Sequence, residues 1–354
     1  MDRRSFLKNA ALAGAAAAVA PDLLQSCSGT AKTNAGEISA KLDFRADGRF
    51  KLLQFTDTHY ISGDPRSERA LCCVEEALDA EKPDLVIHTG DVLFGRPDIE
   101  SALEILKPVS DRGIPFAVAL GNHDSQFGSS REEVFSAIRA LPGCLNKPPK
   151  KDVYGCSNDV ITLGSERVFY LFDSMDAVIL RGEEEIHSYD YIRYSQIGWY
   201  RARSEEFTRR NGGTPVPSLA FFHIPLREVE DALASPDHEL VGNNCEPPCP
   251  SRVNSGLLAQ FREMGDVRVI VMGHDHDCDY VLRHGPMFHI YGRFSGCDTV
   301  YNHLGRNGVS EEKISGCRLF EFERGNPGFK TWVRLYGGEI QQPLRLEDGR
   351  ITRL

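Results

Sequence analysis

Eight side chains able to hold or polarise a cation stand at the ends of five short apolar runs. Residues 50–56 lead into Asp57 and His59, 85–90 into Asp91, and 116–121 into Asn122 and His123 with Asp124 behind them. Residues 219–222 lead into His223, and 269–273 into His274 and His276. A mixed set of carboxylate, amide and imidazole donors suits Zn, Fe or Mn, whereas Ca takes oxygen ligands alone. Such ions lower the pKa of a water from about 15.7 toward 7 and screen phosphoryl oxygens, so the set suits hydrolysis of an anionic ester. An Asp or His beside an apolar run is costly unless paired or coordinated. His88, His187, His238, His284, His289 and His303 stand singly and read as surface, core-polar or supporting residues.

The elements that must position these groups are strands, because short apolar runs bounded by Gly or Pro read as buried strands. Ligands bind beyond the carboxyl ends of strands in α/β sheets, which brings the five endings to one pocket. The 34 residues from Asp57 to Asp91 and the 31 from there to Asn122 suit two successive βαβ units with parallel, right-handed connections. Helical spacing recurs at Leu71, Val74 and Leu78, at Ile99, Leu103 and Leu106, at Val134, Phe135, Ile138 and Leu141, and over 195–210 and 255–264. A hairpin is expected from 160–163 and 168–173, a loop over the pocket from 142–158, and a long surface loop from 235–254. Residues 280–335 read as antiparallel strands, with an edge hairpin after them.

In order, the endings spell D-x-H, G-D, G-N-H-D, H and G-H-x-H. This order resembles the calcineurin-like metallophosphoesterases from roughly Phe50 to His276. The resemblance implies two divalent or mixed-valence transition ions, Fe, Mn or Zn. Asp57, His59 and His276 would hold one, Asn122, His223 and His274 the other, and Asp91 would bridge them. It implies a metal-bridging hydroxide as nucleophile. His123 would contact the phosphate and protonate or stabilise the leaving oxygen, with Asp124 orienting its imidazole and Asn122 also meeting substrate. Purple acid phosphatases, a branch of the same superfamily, carry a ferric-iron tyrosine three residues after the G-D aspartate, where this chain has Phe94. Their tyrosinate colour is therefore expected to be absent, although iron is not excluded. Tyr191 to Arg193, Asn254 to Gly256 and Gly273 to His276 resemble a purple-acid-phosphatase-like group. Asn254 is a candidate substrate contact and equally a helix cap.

The chain thus reads as one α/β domain over 43–345, a two-sheet β-sandwich flanked by helices with a dimetal site at strand ends. The expected function is hydrolysis of a small phosphomonoester. The alternatives are a phosphodiesterase of cyclic nucleotides or phospholipid headgroups, and a non-catalytic binder of phosphorylated ligands.

Composition is that of an ordinary globular protein, with 41% hydrophobic and 26% charged residues among 354. A net charge of -10 without a dense Lys/Arg cluster argues against nucleic acid as partner. Residues 1–27 read as a targeting segment. Asp2 to Lys8 looks like a twin-arginine export signal, Ala10 to Ala20 falls short of the about 20 apolar residues a spanning helix needs, and 24–27 resembles a lipobox with Cys27 acylated. An uncleaved tail or a cut after Ala20 is the alternative. The expectation is an exported protein, in the periplasm or held at a bacterial membrane by a lipid anchor alone, with 28–42 as linker. Nine further cysteines leave pairing open. Cys72 and Cys73 are expected to be buried small hydrophobes, and Cys245 and Cys249 either a small disulfide or free thiols.

Overall fold

A computed structural model describes residues 40–181, 185–296, 299 and 314–354. The expected signal, Cys27 and nearly all of the expected linker lie outside these residues. In chain order the first strands and helices are β1 (Ala40–Leu42), β2 (Arg49–Phe55), α1 (Glu68–Glu81), β3 (Leu85–His88), α2 (Asp98–Asp111), β4 (Phe116–Val118) and α3 (Arg131–Arg139). The middle of the chain supplies β5 (Asp159–Leu163), β6 (Arg167–Leu171), β7 (Ala177–Arg181), β8 (Glu185–Tyr189), α4 (Tyr194–Arg210), β9 (Ser218–Phe221), α5 (Glu228–Ala234) and β10 (Glu239–Val241). There follow α6 (Leu257–Met264), β11 (Val267–Met272), β12 (Val281–His284), β13 (Met287–Tyr291), β14 (Gly316–Glu323), β15 (Phe329–Leu335), β16 (Ile340–Glu347) and β17 (Arg350–Arg353).

Two sheets carry the architecture. One has eight strands in the order β1-β5-β6-β9-β11-β13-β12-β10, the other seven in the order β17-β16-β15-β14-β2-β3-β4. Side chains alternate across each strand, and in this chain both sides of the central strands are apolar. Leu52, Leu85, Phe169, Phe221, Val271 and Phe320 point into the core between the sheets. Their neighbours Leu53 and Val86 face outward into a second core with Val74, Leu78, Ile105, Leu106, Phe135 and Ile138 of α1 to α3. Tyr170, Phe222 and Met272 face a third core with Tyr200, Phe207 and Phe261 of α4 and α6. Burial on two faces is why these strands read as continuous apolar runs, and it produces four layers, helix, sheet, sheet and helix.

The strands that end in candidate ligands are parallel where the spacing predicts it, β2 to β3 and β3 to β4. In the other sheet β9 and β11 are likewise parallel neighbours. The two sheets therefore present their carboxyl ends at the same edge of the sandwich. The hairpin of β5 and β6 forms as expected, as does the edge hairpin of β16 and β17.

Several expectations are corrected. The expected linker contains β1, which pairs in parallel with β5 through Ala40 to Ile161 and Leu42 to Leu163. Order persists past 345, because β16 and β17 add the last two strands to the seven-stranded sheet. Residues 143–146, within the expected loop 142–158, seal the open edge of β4. Phe116 N–H donates to Gly143 O and Leu145 N–H to Phe116 O, and Asn146 Oδ1 accepts from Val118 N–H at 2.7 Å. Unpaired strand edges need such cover. The segment 235–254 contains β10, antiparallel to β12. The β7 and β8 hairpin was not anticipated; it stands as a separate two-stranded sheet with Ile179 and Ile186 exposed. Cys73 is buried, but Cys72 is exposed, and Cys245 and Cys249 are free thiols. Among the described residues no helix is long and apolar enough to cross a membrane.

Candidate metal centre

Three of the five ligand-bearing strands, β2, β3 and β11, run into left-handed backbone. Asp57, His59, Asp91 and His274 adopt left-handed backbone, with φ of 52°, 49°, 52° and 79°. That conformation costs about 1–3 kcal/mol per non-glycine residue and persists where the surroundings over-determine it. Here it turns four side chains of two sheets toward one point. The preceding glycines allow the approach. A Cβ on Gly121 would fall 2.2 Å from Asp91 Oδ1, and one on Gly273 would fall 1.9 Å from Thr56 Oγ1.

All seven candidate ligands meet at this edge, every one of them buried. His59 Nε2 and His276 Nε2 lie 2.9 Å apart, with Asp57 Oδ1 3.3 Å from His276 Nε2 and 3.8 Å from His59 Nε2. On the other side His223 Nε2 lies 3.1 Å from Asn122 Oδ1, 3.3 Å from His274 Nδ1 and 3.2 Å from Asp91 Oδ2. Asp91 Oδ2 is also 3.6 Å from His59 Nε2, so one carboxylate oxygen reaches both sides. Six ligands at about 2.1 Å from one cation are spaced about 3.0 Å apart along octahedral edges. The donor atoms are thus separated as ligands of common ions are.

The polar bookkeeping of the site also fits cations. His223 Nδ1–H donates to Thr89 O at 2.8 Å, which in the neutral ring turns the Nε2 lone pair toward the oxygens of Asp91 and Asn122. Lone pairs facing each other there repel unless a proton or a metal ion lies between them. Burial pushes the His59 imidazole down to about 4 and His274 to about 3, leaving both neutral and able to bind. Burial also lowers His223, but the charges of Asp91 and Asp57 outweigh it and raise the ring to about 9. Burial works against ionising Asp57 and Asp91, yet His223 and its neighbours hold both carboxyls well below the usual range. Two dry carboxylates beside the neutral rings of His59 and His274, with one positive charge on His223, leave the cup anionic. Groups of Asp57, His59 and His276, and of Asp57, Asp91 and His223, each bring their donor atoms within 4.8 Å of one another.

His123 lies at the rim, its side chain 27% exposed and its Nε2 3.9 Å from Asp91 Oδ2. Asp124 does not orient it. The Asp124 carboxylate accepts from the N–H groups of Val92 (2.7 Å), Gly121 (2.8 Å), Asp91 (3.1 Å) and Leu93 (3.2 Å). It is therefore a latch between two strand-end loops, with its pKa raised by burial and by the nearby charge of Asp91. The partner of the His123 ring is Gln126, whose Oε1 lies 2.6 Å from Nδ1, and Gln126 Nε2–H donates to Asp176 Oδ1 at 2.9 Å. The i+3 spacing of Gln126, which caps the turn His123–Ser125, offers a local signal for this contact. Asp176, fifty residues further on, carries none.

Other neighbours frame the site. Phe94 stands edge-on to His123 at 4.8 Å and to His59 at 5.2 Å between ring centroids. Tyr189, at the end of β8, stands edge-on to His274 at 4.4 Å. The buried Arg131 donates to Leu120 O and Gly121 O and pairs with Asp173 at 2.6 Å, fixing the end of β4. Thr58 Oγ1 lies 2.8 Å from His88 Nε2, which places that histidine in support of the Asp57 to His59 turn. Asn254 Oδ1 accepts from Gly256 N–H at 2.8 Å in the turn that opens α6, the capping alternative.

The family model described as calcineurin-like phosphoesterase matches residues 50–278, the stretch that contains every residue of this cluster. The chain belongs to that family. It is a member of the purple-acid-phosphatase-like branch, since it is 30% identical over 338 residues to the Arabidopsis thaliana protein named "Probable inactive purple acid phosphatase 28", covering 83% of this chain and 82% of that one. It is also 26% identical over 328 residues to "Phosphatase DCR2" of Saccharomyces cerevisiae, covering 82% of this chain and 54% of that protein. A crystal structure of a dimetal phosphatase from Danio rerio shares the fold, with a TM-score of 0.56 at 14% identity over 84% of this chain and 99% of that one. Metal-dependent phosphoester hydrolysis is the general chemistry of this family.

Proposed function

We propose that this member of the calcineurin-like phosphoesterases is a working hydrolase of small phosphomonoesters. The observation that carries the reading is the convergence of seven buried donors from two sheets, with a half-buried histidine at their rim. In this reading Asp57, His59 and His276 hold one transition ion, Fe, Mn or Zn, Asn122, His223 and His274 hold the second, and Asp91 serves both. Bound there, the ions would lower the pKa of water and neutralise phosphoryl oxygens. The protein does the rest. Asn122 and His123 border the place of the phosphoryl group, and His123 Nε2 handles the proton of the leaving oxygen. Phe94 and Tyr189 pack edge-on against His123 and His274 on two sides of this place.

The word inactive in the name of a relative favours a second reading, a non-catalytic binder of phosphorylated ligands. Natively purified protein, analysed for bound metals, is assayed on a panel of phosphomonoesters and phosphodiesters. Release of phosphate from monoesters supports the first reading. Turnover of diesters alone, whether cyclic nucleotides or phospholipid headgroups, replaces the substrate class. Metal-replete protein that binds phosphate and turns over nothing is a binder.

We also propose that the chain is exported and lipid-anchored through Cys27, a reading supported by the sequence of residues 1–27. Cys27→Ala is then expected to leave the membrane fraction. Unchanged fractionation and precursor size would sink that proposal.

A further inference from the structure

We infer that Gln126 and Asp176 are positioning residues that set which nitrogen of His123 works on the substrate. This rests on the reading of His123 as the group beside the leaving oxygen. An amide side chain has a donor end and an acceptor end, and a carboxylate accepts only. Asp176 Oδ1 therefore takes the Gln126 amino group, 2.9 Å away, and turns the Gln126 carbonyl oxygen toward His123. That oxygen accepts, so the His123 nitrogen 2.6 Å from it, Nδ1, must carry a proton. The other nitrogen, Nε2, is the one left to give and regain a proton, and it faces Asp91 Oδ2 at 3.9 Å.

The arrangement also has a mechanical side. Asp176 immediately precedes β7, and its carbonyl accepts from Asp190 N–H, which follows β8 at 3.0 Å. The same hairpin ends in Tyr189, packed on His274. The base of one exposed hairpin thus grips the rim histidine through Gln126 on one side and a candidate metal ligand on the other. A local signal cannot provide this, because Gln126 and Asp176 lie fifty residues apart in the chain.

The test uses the metal-loaded full chain with Gln126→Leu, which removes both hydrogen bonds at an exposed position, and Asp176→Leu as the second variant. Each is assayed on an alkyl phosphate, whose leaving oxygen needs a proton, and on nitrophenyl phosphate, whose leaving oxygen does not. Gln126→Leu is expected to lower kcat on the alkyl ester by about tenfold or more, a part of the roughly 10²–10⁴-fold a general acid-base group supplies. KM, metal content and kcat on nitrophenyl phosphate should stay within about threefold of wild type on the same reasoning. Asp176→Leu should show the same contrast, and combining Gln126→Leu with His123→Ala should add nothing to His123→Ala alone. Equal losses on both esters, losses that multiply in the double variant, or an unchanged rate on the alkyl ester would overturn the inference. If His123→Ala itself is silent, the role of His123 falls first; if it is slow while Gln126→Leu is not, only the positioning claim falls.

Discussion

His123 and Asp91 are joined through the backbone: the N–H of His123 donates to Asp91 Oδ1 at 2.8 Å, while Asp91 Oδ2 lies between His223 and His59. One carboxylate thus fixes the turn that carries the rim histidine and serves the ligand cluster at the same time. Asp91→Ala is expected to lose bound metal and to destabilise the fold by about 3 kcal/mol or more, since a buried charge network loses its central anion. Elemental analysis together with thermal unfolding checks both. Retention of two ions per chain would refute the bridging role.

Asp124→Ala removes the acceptor of four backbone donors in a fully buried place. Each orphaned donor costs about 1–3 kcal/mol, less where water enters, so a net loss of about 3–5 kcal/mol is expected. Metal affinity should fall with it, because Asp91 sits on the released loop. A stable Asp124→Ala protein with only a shifted pH profile would restore Asp124 as the orienting partner of His123.

Removing the metals should make stability depend on alkaline pH. In the metal-free fold His223 titrates at about 9, above the about 6.5 of an unfolded histidine. Its stabilisation, roughly 3 kcal/mol by linkage, is therefore fully present below about pH 6.5 and is lost as pH rises through about 9. Urea unfolding of chelator-treated protein at pH 6 and pH 9.5 should show this difference. Metal-loaded protein, in which the ring is a neutral ligand, should not.

Phe94 places an apolar edge against His59. Protein loaded with ferric iron is thus expected to lack a tyrosinate absorption band in the visible. Phe94→Tyr with the same loading should gain one. A visible band in the wild-type iron protein would require a phenolate ligand from elsewhere.

Much of the site was legible because each ligand closes an apolar run, and an apolar run that stops at Gly has few places to go but a strand end. The pairing of β2, β3 and β4 followed from spacing alone, since about thirty residues hold one helix and two turns. What stayed hidden depended on long-range partners. Asp124 follows a histidine in sequence, which suggests a side-chain pair, but its oxygens point at backbone N–H groups more than thirty residues upstream. Asp176 lies in a stretch without periodicity. The short β1 is half-exposed and depends on β5 for its hydrogen bonds, so its composition resembles that of a linker. The edge-sealing role of 143–146 is likewise set by the strand they cover.

Asp57, His59, Asp91 and Asn122 follow strands of one sheet, whereas His223, His274 and His276 follow strands of the other. Ions shared between them would rivet two layers that elsewhere meet through greasy, directionless contact. A slip of one layer past the other by a single residue, about 3.3 Å, would pull the donors of one layer out of range of those of the other. A nascent molecule with only one layer built has at most four of the seven donors, so full loading with metal would report that assembly of the sandwich is complete.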